Sequence, residues 1–225
     1  MPRVMLFDVN ETMLDLAALD PLFENLFGAR DTRREWFSQT LQSAMVATIT
    51  GAYTDFGAVG MAALEMVAAR HGVALNHGDR GALRAGMRSL PPHPEVRASL
   101  ERLRAAGFRL AALGNSTAEV IEAQLASARL RDLFEGVFSA DTVRRLKPAP
   151  EPYLMAAHHL DVSIAQVRLV AAHAWDIAGA QGAGAAAGFV ARPGCVLSPL
   201  VPVPDVIGDD LSEVAERIIT LELRG

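Results

Sequence analysis

Residues 3–8, RVMLFD, form a continuous apolar run closed by an acid. A run this short, with no polar residue inside it, fits a strand buried on both faces, as in a parallel sheet. No comparable run returns until FRLAALGN at 108–115. From about Asp15 to Arg88 only helical periodicity is legible. TRREWFSQTLQSAMVATI carries an apolar repeat of helical spacing and a capping box from Thr32 to Glu35. DFGAVGMAALEMVAARHGV reads as a second helix, closed by Gly72. In SLPPHPEVRASLERLRAAGF a helix enters through Pro94 and ends at Gly107.

Beyond that point strands and helices alternate. FRLAALGN is a strand, and Ser116 to Glu119 caps the helix after it. LFEGVFSAD is a strand, APEPYLMAAHHL a helix and VRLVAAHA a strand. WDIAGAQGAGAA reads as a helix, GFVARPG as a short strand and DLSEVAERIITLEL as a terminal helix. Strands separated by helices argue an α/β fold: a doubly wound, Rossmannoid parallel sheet with helices on both faces. The strandless block then reads as an inserted helical cap. On this reading residues 1–13 and 89–225 form the α/β core and residues 14–88 the cap.

Composition narrows the partners. Net charge is -5 and the sequence pI about 5.7, so no broad basic surface is expected for nucleic acid or anionic lipid. A single cysteine, Cys195, excludes an internal disulfide framework and fits a cytoplasmic setting. No basic segment leading into an apolar core opens the chain, and no apolar stretch reaches about 18 residues, so no membrane partner is expected.

In doubly wound sheets ligands sit beyond the carboxyl ends of the strands. Four polar clusters fall there: Asp8 to Thr12, Asn115 to Thr117, Lys147 with its prolines, and His173 to Asp176. Singly, each has an ordinary explanation. An acid after a strand often caps a helix, LKPAP suits a rigid turn, and a loop histidine is usually a satisfied polar residue. Four of them in order, each after its own strand, point to one site.

The order Asp8-x-x-x-Thr12, Asn115-Ser116, Lys147-Pro148 and Asp176 resembles the haloacid dehalogenase superfamily over nearly the full chain. That resemblance implies Asp8 as a nucleophile and Lys147 as its charge partner. Most members are magnesium-dependent phosphatases, which need an acid two residues after the nucleophile. Asn10 stands at that position and cannot donate an acidic proton. The loop that usually reads Gly-Asp before its last acid reads VAAHAWD, with Ala171 and Ala172, whereas Mg²⁺ wants oxygen ligands. Displacement of halide needs neither device. KPxPxxY (Lys147 to Tyr153), AWDxxGA (Ala174 to Ala180) and, more weakly, YTDF (Tyr53 to Phe56) resemble the (S)-2-haloacid dehalogenases of the superfamily. The resemblance implies hydrolysis of small 2-haloalkanoic acids, with no metal or other cofactor, a small haloacid as the partner and a homodimer as a candidate assembly.

Departures from that pattern mark where this chain differs. Gly114 stands for a serine, and Ala171 and His173 stand for a serine and an asparagine. Phe37 falls where a halide-holding arginine is expected. Arg33 and Arg34 lie one turn away, on what reads as a solvated face. Glu11 and His173 arrive together, and a histidine oriented by a carboxylate activates water at neutral pH. We therefore expect a Glu11–His173 dyad as the water-activating pair, with Asp176 as the alternative base implied by the resemblance. Thr12, Asn10, Asn115, Ser116 and Tyr153 are candidate substrate-site residues; Tyr153, one to two turns into the helix after Lys147, is also placed to bond a site acid or to pack. The substrate carboxylate is expected at the start of the helix after Ser116, beside Lys147, with Phe37, Phe56 and Trp175 as an apolar wall around the halogen. Two rivals remain: a magnesium-dependent phosphatase with atypical ligands, and a non-catalytic protein that binds a small acid or a partner.

Overall fold

The computed structural model describes residues 4–224, so Arg3, where the first strand was expected to start, lies outside the described residues. Six parallel strands form one sheet in the order β3-β2-β1-β4-β5-β6. They are β1 (Val4–Phe7), β2 (Leu110–Gly114), β3 (Gly136–Ser139), β4 (Val167–Ala171), β5 (Ala186–Val190) and β6 (Val206–Gly208). Every residue of β1, β2 and β4 is buried, which accounts for their apolar sequence; the exception, Arg168 of β4, is paired with Asp205 and Glu222.

Alternation along β1 feeds two cores. Met5 and Phe7 pack on one face, with Leu100 and Leu103 of α5 (Val96–Ala105) and Val214 and Ile218 of α9 (Leu211–Arg224). Val4 and Leu6 pack on the other, with Tyr153 and Ala156 of α7 (Pro150–His159) and Ile177 and Ala180 of α8 (Ala174–Ala183). Each side chain of Val or Leu size so buried contributes roughly 1.5–3 kcal/mol. Between β2 and β3 runs α6 (Ala118–Ser127).

The strandless block is helical, as read: α1 (Asp20–Phe27), α2 (Thr32–Thr50), α3 (Phe56–His71) and α4 (His77–Arg88). The two connectors that enter and leave it pair with each other. Asp15 N donates to Pro91 O at 2.8 Å, His93 N donates to Met13 O at 3.0 Å, and Leu14 bridges Pro92.

Several boundaries differ from the sequence reading. The Thr32–Glu35 capping box does not form; Asp31 is the N-cap, without a side-chain cap bond, and Glu35 pairs instead with Arg70 and His71. Ser116 likewise does not cap α6, whose N-cap is Thr117, and Glu119 pairs with Arg88. The Gly/Ala-rich helix stops at Ala183 and β5 begins at Ala186, because Gly184 closes the helix with a φ of 99°. β6 escaped the reading: three residues between a proline-rich loop and two acids show no period.

Candidate active site

Parallel strands bring their carboxyl ends to one edge, and the four polar clusters meet there. Lys147 is the hub. Its chain is held by Asn115: Lys147 N donates to Asn115 Oδ1 at 2.8 Å, and Asn115 Nδ2 donates to Lys147 O at 3.4 Å. Lys147 Nζ then donates to Asp8 Oδ1 at 2.8 Å, Asp176 Oδ2 at 2.7 Å and Leu113 O at 3.1 Å. All three of its donor hydrogens are thus committed. Thr12 Oγ1 donates to Asp8 Oδ2 at 2.7 Å and accepts from Ala172 N at 2.9 Å, which ties the Asp8 loop to the end of β4.

Burial pushes these groups toward their neutral forms, and their charges push back. For Asp8, burial is outweighed by the Lys147 charge and by the nearby His173, so its carboxyl stays well below the usual range. For Lys147, burial would lower the pKa, but Asp176 and Asp8 hold it above its usual value. Asp176 is pushed up by burial and by the Asp8 charge, despite Lys147 and the Tyr153 hydrogen bond. The arrangement therefore keeps Asp8 ionised.

Behind Asp176, Tyr153 donates its hydroxyl hydrogen to Asp176 Oδ1 at 2.5 Å. Gly179 makes this possible: a Cβ there would sit 2.6 Å from the Tyr153 hydroxyl and 2.7 Å from Pro148. The KPxPxxY and AWDxxGA segments are thus two halves of one close packing.

On the other side of Asp8 stands His173. Its Nδ1 lies 3.6 Å from Asp8 Oδ2 and has no hydrogen-bond partner among the described residues, while its Nε2 is 2.8 Å from Glu11 Oε2. Glu11 takes the left-handed conformation, φ 62°, an uncommon one for a side chain of this kind. In this loop Glu11 is turned toward His173 and Asn10 toward Gln124, whose Nε2 donates to Asn10 Oδ1 at 3.0 Å. The His173 ring stacks on Trp175, centroids 5.3 Å apart, and meets Phe37 at 5.7 Å. Burial would lower its pKa, but the close Asp8 and Glu11 carboxylates, the latter hydrogen-bonded to Nε2, raise it from 6.5 to about 9.

Two cavities flank the cluster. One, of about 310 Å³, opens on Glu11, Arg33, Phe37, His173, Trp175 and Cys195. The other, of about 540 Å³, lies between α2–α4 and the start of α6, and Phe56, Ser116 and Thr117 line it. The expected aromatic wall is therefore divided: Phe37 and Trp175 line one space, Phe56 the other. Three further expectations are corrected. Tyr153 is fully buried behind Asp176, Asn115 spends its amide on the Lys147 backbone, and Asn10 is engaged by Gln124. These three position the site rather than line it. Arg33 is not on a solvated face either: only 5% exposed, it binds Asp20 and Glu11. Arg34 is exposed, as expected.

A hard divalent cation does not fit between the two site carboxylates, because Lys147 Nζ stands there and bonds both. A softer donor set lies nearby. Glu11, His173 and Cys195 bring one ligand atom each within 4.8 Å of one another.

The profile of the haloacid dehalogenase-like hydrolases matches residues 2–184. The chain belongs to this family. Among haloacid dehalogenase-like hydrolases it is similar to (S)-2-haloacid dehalogenase 2 of Pseudomonas sp. (strain CBS-3), at 29% identity over 214 residues, 94% of this chain and 93% of that one. Haloacetate dehalogenase H-2 of Moraxella sp. (strain B) is 27% identical over 201 residues, 88% and 90% of the two chains. A solved L-2-haloacid dehalogenase superposes with a TM-score of 0.92 at 27% identity, covering 96% of this chain and 98% of that one.

Two members of this hydrolase's site were missed in the sequence. Arg192 is buried and donates through Nε and Nη2 to Thr12 O, at 3.2 and 2.9 Å, while Nη1 pairs with Glu95 at 2.6 Å. It stands two residues past β5, so the strand-end rule that found the other clusters applied to it as well. His93 Nε2 lies 3.0 Å from Glu11 O and braces the loop from the returning connector, where no sequence pattern marks it.

Proposed function

We propose that this hydrolase acts on carbon–halide bonds, converting small (S)-2-haloalkanoic acids to 2-hydroxy acids through an ester on Asp8. The observation that carries the reading is the double flanking of Asp8: Lys147 at 2.8 Å on one oxygen, His173 Nδ1 at 3.6 Å from the other. Its relatives' names, (S)-2-haloacid and haloacetate dehalogenases, point to the same substrates. No acid stands two residues after Asp8, and the Asn10 side chain there is held by α6, which disfavours protonation of a phosphoryl leaving group.

In the first step an Asp8 oxygen attacks C2 from the side opposite the halogen, and halide leaves with inversion. In the second, water attacks the Asp8 carboxyl carbon, frees the 2-hydroxy acid and restores the aspartate. His173 takes the proton through Nδ1, with Glu11 orienting the ring through Nε2. Asp176 is the weaker candidate for base, since Lys147 and Tyr153 occupy its oxygens. Residues 14–88 act as the cap, with Phe37 and Arg33 of α2 reaching His173 and Glu11. Backbone N–H groups at the start of α6 are the proposed seat of the substrate carboxylate.

The direct test is release of chloride and fluoride from a panel of haloacetates and 2-halopropionates, with a phosphate ester as control. Halide release unaffected by EDTA is expected; phosphate release that EDTA abolishes would replace this reading with the phosphatase.

Two further results follow. His173→Ala should let the ester accumulate, read as a substrate-sized adduct on Asp8 by intact mass, and Glu11→Gln should slow the second step less. Rapid turnover of His173→Ala would refute the water-activating role. Turnover should also improve with pH. His173 must be neutral to act as a base, and Asp8 and Glu11 hold its proton up to about pH 9. Esterification removes the Asp8 charge, so single-turnover ester hydrolysis should rise with pH to a midpoint between 6.5 and about 9. A rate that is flat or falls across that window would contradict it.

A further inference from the structure

We propose that Glu11, His173 and Cys195 form a site for one thiophilic divalent cation, of which zinc is the type, and that its occupation switches the enzyme off. The inhibitory half rests on the dehalogenase reading; the binding half does not.

Three separate segments supply the donors: the loop after β1, the loop after β4 and the turn after β5. That turn is closed by Cys195 N donating to Arg192 O at 2.8 Å and needs the positive φ of Gly194, 89°. It directs Cys195 back toward the catalytic pair. The donor atoms, a carboxylate oxygen, an imidazole nitrogen and a sulfur, all lie within 4.8 Å of one another. Zinc bonds of about 2.0–2.3 Å place tetrahedral ligands roughly 3.3–3.8 Å apart, so shifts of about 1 Å close the site. Arg33 engages the Oε1 oxygen of Glu11, while Oε2 faces His173 Nε2. The 310 Å³ cavity leaves room for water as a fourth ligand. The mixed N/O/S set selects against Mg²⁺ and Ca²⁺. Arg34 borders the site from its exposed side, where solvent screens its charge.

Coordination replaces the Glu11–His173 hydrogen bond with bonds to the ion and sends the thiol proton to solvent. His173 then loses the partner that orients it, and the second half-reaction stops.

The test uses cobalt(II) as a spectroscopic probe on EDTA-treated, desalted protein. One equivalent should bind and give the near-ultraviolet thiolate-to-cobalt charge-transfer band, which zinc should displace. Cys195→Ser should lack the band. Glu11→Gln should keep it with affinity lowered about tenfold or more, which keeps the site falsifiable should the cysteine variant misfold. Zinc should suppress halide release, and EDTA should restore it. Absence of the band, or equal zinc affinity in Cys195→Ser, would overturn the site. Tight binding with halide release unchanged would overturn the switch. Tight binding by a protein that releases halide under no condition would support the site and refute the dehalogenase reading.

Discussion

Asp8→Asn should abolish turnover, lowering halide release by a factor of about 10⁴ or more, as removal of a covalent nucleophile does. The amide keeps the shape of the carboxylate; its oxygen can still accept from Lys147 while its NH2 donates to the Thr12 hydroxyl oxygen, so the loop should hold. What it lacks is the anion proposed to displace halide at carbon. Chloride release from 2-chloropropionate measures the loss, and intact mass after incubation with substrate should show no adduct. An adduct that persists on another side chain would place the nucleophile elsewhere.

Lys147→Met should cost both activity and stability. The methionine fills a similar volume but leaves Asp8 and Asp176 buried and facing each other without a cation. Removing one partner from a buried ionic cluster costs about 3–5 kcal/mol, far more than the cluster contributes relative to apolar packing. One of the carboxyls must then take up a proton, and if it is Asp8 the nucleophile disappears with it. The pH dependence separates this cause from a packing defect. Protonation relieves a charge defect, so the loss in urea unfolding should be largest at neutral pH and shrink toward about pH 5. A loss that is the same at both values would mean that Lys147 matters through its stem rather than its charge.

How far the sequence revealed this site depends on the range of the interaction involved. Asp8 and His173 were legible because each closely follows an apolar run, Asp176 because it falls in the first turn after His173, and Lys147 because it precedes the prolines that open a helix; parallel strands carry such positions to one edge. The facing of Glu11 and His173 was legible as two substitutions at loops that must converge. The direction of Asn10 was not, since it depends on the left-handed turn at Glu11, which no residue type announces there. Nor was the burial of Arg33. The buried positions of α2 include Thr32, Arg33, Gln39 and Thr40, so the helix has no clean apolar face, and the partners that make an arginine tolerable inside, Asp20 and Glu11, come from outside it. Asn115 was found but given the wrong task, because clamping the Lys147 backbone is a long-range contact between two loops.

The stitched connectors at residues 13–15 and 91–93 have a mechanical consequence. Entry and exit of the four-helix block are joined to each other just past the nucleophile loop, and His93 also grips the Glu11 carbonyl. The two connectors are thus a coupled pair of straps, and a tilt of the helical block should be felt at Glu11 and, through its 2.8 Å contact, at His173.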